Sequence, residues 1–73
     1  MAEQADELKK LAAIAADLGL VAELRTKSIE LIGRIGSPEA LHTLLDLAGR
    51  EDLFAEEREL CLKYAKDIIK QRR

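Results

Sequence analysis

Tryptophan is absent, and Phe54 and Tyr64 are the only aromatic residues among 73. Two rings are too few for a platform on which successive bases stack, which argues against single-stranded nucleic acid as a ligand. Cys61 stands alone, so no internal disulfide can form. The fold must therefore hold without an oxidising environment, and a cytoplasmic setting is expected. Proline occurs once, and Val, Ile and Thr together number nine, against 45 residues of Ala, Leu, Glu, Lys and Arg. With helix formers so far ahead, the expected fold class is all-α.

Long apolar runs are missing too. The stretch LAAIAA stops at Asp17 after six residues and follows a charged segment, which is too short and wrongly flanked for a signal peptide. Nothing approaches the roughly 20 apolar residues that span a bilayer. Nor does one sign of charge dominate: twelve basic against fourteen acidic residues leave a net charge of -2. That balance does not draw in a phosphate backbone over the whole surface. The tail Lys70, Arg72, Arg73 is locally basic, and at the end of a helix such cations complement the negative pole of the dipole.

What is present is a composition that folds: 48% hydrophobic and 36% charged residues, in a length suited to one small domain over 1–73. Gly19, Gly36 and Gly49 each follow an apolar-periodic stretch, where a left-handed residue could end a helix. They divide the chain into four helices, at about 3–18, 21–35, 38–48 and 53–71. On the first, Leu8, Leu11, Ala15 and Leu18 share the apolar face; on the second, Val21, Leu24, Ser28, Ile32 and Ile35 do. The third is expected to bury Leu41, Leu44, Leu45 and Ala48. The fourth, with Asp52 as its cap, carries a wide apolar arc from Leu60 through Cys61, Tyr64, Ala65 and Ile68 to Leu62 and Ile69. Gly36, Ser37 and Pro38 form the sharpest local signal, a stop, a cap and a first helical residue that needs no amide hydrogen.

Sliding the chain against itself by 33 residues aligns Ala5 to Ile35 with Pro38 to Ile68 without a gap. Eight of the 31 positions are identical, among them Leu8/Leu41, Leu11/Leu44, Ala15/Ala48, Leu20/Leu53, Arg25/Arg58 and Ile35/Ile68. Other core positions are conservative, as in Ile14/Leu47, Ser28/Cys61 and Ile29/Leu62. A period of this length in a helical chain implies stacked helix pairs, each covering the apolar face of the next.

The segment from Arg25 to Leu44, RTKSIELIGRIGSPEALHTL, resembles the helix-turn-helix core of a HEAT-like repeat of the phycobilisome-lyase type. Arg25, Ser28, Ile32, Gly33, Ile35, Gly36, Pro38, Ala40, Leu41 and Leu44 carry the likeness, and Ser37 stands where that family usually has Asp. The resemblance implies a fragment of an α-α superhelix, two stacked antiparallel helix pairs. It says little of function, because the motif is one of packing.

Chemistry is sparsely provided. Some enzymes of that family hold a di-iron centre on His-Glu pairs, whereas this chain has a single histidine and no His-Glu step, so no metal, cofactor or catalytic residue is expected. His42 falls on a polar face, and Cys61 lies mid-arc, where a thiol behaves as a small hydrophobe rather than a nucleophile. Glu56, Glu57 and Glu59 suit the positive end of the fourth helix.

The expected function is therefore a non-catalytic protein-interaction or scaffold module. Lys9, Lys10, His42, Thr43 and Asp46, on the first and third helices, are its candidate binding residues, chosen because such arrays usually present a concave surface. Leu60, Leu62 and Ile69 could join two copies, and the pattern also suits a piece of a longer array. The alternative is a helix-hairpin-helix nucleic-acid binder using Gly33 to Ser37, although Arg34 stands where that motif has its first glycine.

Overall fold

The structure, a computed structural model, describes residues 2–72, with side chains from Asp6 onward. Met1 and Arg73 lie outside it, so of the basic tail only Lys70 and Arg72 are placed. Four α-helices follow one another: α1 (Ala2–Ala16), α2 (Ala22–Ile35), α3 (Pro38–Ala48) and α4 (Ala55–Gln71). No strand occurs among the described residues. Helices α1 and α2 form one antiparallel pair, α3 and α4 the other. The pairs stack so that α1 lies beside α3 and α2 beside α4, with α2 also touching α3, while α1 and α4 do not meet. An up-and-down bundle would bring its first and last helices together; two stacked pairs keep them apart. The radius of gyration, 11.2 Å, is what a fully collapsed domain of this length shows.

The turn between the pairs forms as its sequence implies. Gly36 takes the left-handed conformation at φ 65°, and its amide bonds the Ile32 carbonyl, closing α2. The Ser37 hydroxyl accepts from the Ala40 amide at 3.1 Å, and Pro38 opens α3. Where α2 passes α4, a Cβ on Gly33 would stand 2.8 Å from the Tyr64 ring. Glycine there is a condition of the helices lying so close, and it offsets the roughly 1 kcal/mol that glycine costs inside a helix.

Several boundaries and faces differ from the periodicity. Helix α1 stops at Ala16 rather than Leu18, because the Asp17 carboxylate turns back to accept the Gly19 amide at 2.9 Å. Leu18 is left exposed. Gly19 and Gly49 do not adopt the expected left-handed conformation; Gly49 sits at φ -82°. Helix α4 starts at Ala55, two residues late, behind an extended Phe54. Asp52 does not cap it, since both carboxylate oxygens are bound by Arg50, at 3.1 and 2.8 Å.

The buried stripe of α2 keeps Ser28 and Ile32 from the expected face, with Ile35 partly buried, and otherwise shifts by one position toward Arg25 and Ile29. Arg25, Ser28, Ile29 and Ile32 are inside, while Val21 and Leu24 are exposed. On α3, Leu45 is exposed and Ala40, Leu44, Leu47 and Ala48 are buried. These shifts share a cause: each helix of a stack faces both its hairpin partner and the next pair, so its buried stripe bisects two directions. The core runs through Leu8, Ala15, Ile29, Ile32, Leu44, Cys61, Ala65 and Ile68. Leu60 packs partly against it, while Leu62 and Ile69 remain exposed.

Candidate interaction surface

A groove of about 440 Å³ runs between α1 and α3. Its floor is small and apolar, with Ala12, Ala13 and Ala16 on one side and the buried Leu8 and Leu47 beneath. The walls carry Lys9, Glu39, Asp46 and Arg50, two cations and two anions, together with Thr43. Ala12, Ala13 and Ala16, three alanines within five residues of α1, leave little side chain to fill the space beside α3.

Of the five residues singled out from the sequence, three meet here: Lys9, Thr43 and Asp46. The Thr43 hydroxyl is already engaged, donating to the Glu39 carbonyl at 2.9 Å. Lys10 lies elsewhere, on a cleft of about 490 Å³ along α1 and α2 with Glu7, Leu11, Leu31, Arg34 and Ile35. His42 is exposed and lines neither. At the rim, Arg50 donates to Asp52 and thereby holds that carboxyl below its usual range.

The most demanding polar feature is one the periodicity passed over. Arg25 and Glu57 form a buried ion pair between α2 and α4, with Arg25 Nε donating to Glu57 Oε2 at 2.6 Å. A second guanidinium nitrogen donates to the Leu20 carbonyl. The guanidinium carbon lies 5.2 Å from the centroid of Phe54, within reach of a cation–π contact. Phe54 itself is exposed, so it is a cover for Arg25 rather than a core filler. Glu57 Oε1 is buried and finds no hydrogen-bond donor among the described residues.

Glu57 is thus not one of three equivalent carboxylates at a helix start. Glu56 and Glu59 face solvent, and Glu57 faces inward. The repeat marks only the arginine of the pair. Arg25 and Arg58 are identical at the offset of 33, and each donates to a backbone carbonyl, Arg25 to that of Leu20 in the loop before α2 and Arg58 to that of Ala48 at the end of α3, at 2.8 Å, whereas Glu57 aligns with Leu24.

Cys61 is fully buried, and burial, with a smaller push from the Glu57 charge, raises its thiol to about 11. A thiol held protonated to that pH is the opposite of an activated nucleophile. Around Gly33 to Ser37 the polar groups named above are spent inside the turn, and Gly33 lies under Tyr64. No group of three or more His, Cys, Asp or Glu among the described residues is placed to hold a metal. No helix is long and apolar enough to cross a membrane.

The fold and surface together define an all-α stack of two helix pairs with a groove along its first layer. Comparison with family models, curated proteins and solved structures finds no match for the chain.

Proposed function

We propose that this protein is a HEAT-like repeat module that binds another protein without catalysing a reaction, and that it works in the cytoplasm. The groove between α1 and α3 carries this reading. Its apolar floor can bury side chains of an incoming segment, and walls of mixed charge supply specificity rather than attraction for one sign. The residues on its two sides come from the first helix of each pair, as expected where a repeated surface is extended by stacking. A buried free cysteine suits a reducing compartment.

The test is capture of partners on the immobilised chain, with and without nuclease, compared with an Ala13→Arg variant. Ala13 is exposed on α1, so arginine there fills the groove without entering the core. A protein held by the wild type after nuclease treatment and lost from Ala13→Arg supports the groove as its site. Material equally retained by both places binding elsewhere, and material removed by nuclease points to nucleic acid instead.

A further inference from the structure

Charge that is nearly balanced over the whole chain is separated within it. Residues 62–73 hold five cations and one carboxylate, whereas residues 1–61 hold seven cations against thirteen carboxylates. The negative pole of α4 accounts for Lys70 and Arg72 at its end, but Lys63 and Lys66 lie a turn or more earlier. Lys63, Lys66 and Lys70 are exposed, and none forms an ion pair among the described residues; Lys63 Nζ rests 5.5 Å from the Tyr64 ring centroid. On the flank of this basic stripe stand Leu62 and Ile69, two turns apart on α4 and 52% and 45% exposed. The five residues share about a third of the helix circumference. Asp67 is turned past Lys63, away from Leu62, and Glu59 borders the stripe one turn before Lys63.

We propose that this face of α4 docks the chain on the surface of an anionic phospholipid bilayer, with Leu62 and Ile69 entering the boundary between headgroups and acyl chains and Lys63, Lys66 and Lys70 lying against the charged headgroups. An apolar ridge flanked by lysines is the arrangement with which a helix lies in a membrane interface. Three features favour a bilayer over other polyanions. The ridge would stay wet on a nucleic-acid backbone, whereas acyl chains bury it. The cations on this face are lysines, compact point charges without the planar fork of arginine, which suit a fluid layer of anions better than carboxylates fixed on a protein. Neither groove described above is lined by these residues, so the face offers an outer helix to a flat surface rather than a slot to a peptide. The contact is peripheral, since no helix among the described residues is long and apolar enough to cross.

Co-sedimentation of the whole chain with vesicles tests this. Vesicles of phosphatidylcholine with about one third phosphatidylserine should hold the wild type about tenfold or more tightly than vesicles of phosphatidylcholine alone, and raising the salt from about 0.1 M to about 0.5 M should release it. Lys66→Gln and Lys70→Gln should each weaken binding about fivefold. Leu62→Gln combined with Ile69→Gln leaves the charge unchanged and should weaken binding by about tenfold or more. All four positions are exposed, so the variants should fold, which circular dichroism checks. Equal binding to the two kinds of vesicle overturns the proposal, as does a Leu62→Gln, Ile69→Gln chain that binds like the wild type. So does a duplex DNA fragment held more tightly than the anionic vesicles, which assigns the lysines to nucleic acid. A wild type that is dimeric in sedimentation equilibrium, and monomeric once Leu62 and Ile69 are replaced, overturns it too and assigns the ridge to a second copy.

Discussion

Arg25 is an arginine in a position that helical periodicity would fill with leucine, and its burial is tolerable because Glu57 meets it from the next helix pair. Removing one partner strands the other charge in the core. Glu57→Ala should therefore lower the unfolding free energy by about 3–5 kcal/mol in urea titration, whereas the double replacement Arg25→Met with Glu57→Leu should fall within about 1 kcal/mol of the wild type or exceed it. Cys61 provides a pH-dependent test. Burial pushes its folded thiol up to about 11, above the usual value of about 8.5 for an exposed cysteine. Between those values the unfolded chain has lost the proton that the folded chain still holds, so stability must fall as pH rises through that window. The difference in unfolding free energy between wild type and Cys61→Ala, measured from pH 8 to 11, should shrink steadily; a constant difference would contradict the burial of the thiol.

The helices themselves were legible wherever local chemistry decided them. Gly36, Ser37 and Pro38 act through groups within four residues of one another, and the turn formed as read. Ser37→Ala should cost about 1 kcal/mol by thermal unfolding, the usual value of a lost cap. The starts and stops that depended on competition were misread. Asp17 and Asp52 could each have served a helix, but a backbone amide two residues away took the first and Arg50 the second. The close passage of α2 and α4 is set by Gly33. Gly33→Ala should destabilise by about 1 kcal/mol net, since overpacking against Tyr64 costs about 1–3 kcal/mol and the gain in helix propensity returns about 1. In a Tyr64→Leu background the same change should become neutral or favourable, and a double-mutant cycle measures that coupling.

Across the whole molecule, stability depends on the joint between pairs as much as on the pairs. Neither hairpin alone covers its apolar face, and the core residues of each are buried by the other. The two pairs should therefore unfold together. With no tryptophan and a single tyrosine seated at the joint, near-ultraviolet signals from Tyr64 report the stacking and far-ultraviolet circular dichroism reports the helices. The two transitions are expected to coincide in urea; separation, with Tyr64 released first, would mean that the joint opens before the helices melt.

The all-α class, the four helices, the turn at Gly36 to Pro38 and the 33-residue repeat could be read from the chain alone, because each rests on propensity, capping or periodicity, which act within a few residues or repeat along the sequence. The candidate surface was legible only in part. Lys9, Thr43 and Asp46 share a groove because of how α1 and α3 are rotated against each other, while Lys10 and His42, the repeat equivalents of Thr43 and Lys9 and one residue away on the same helices, are turned aside by 100°. Which of several apolar faces is covered, and which charge can go inside, was decided by tertiary structure. Val21, Leu24 and Leu45 are exposed and Arg25 is buried because a helix in a stack answers to two neighbours at once. No single-helix pattern holds the position of a partner 32 residues away.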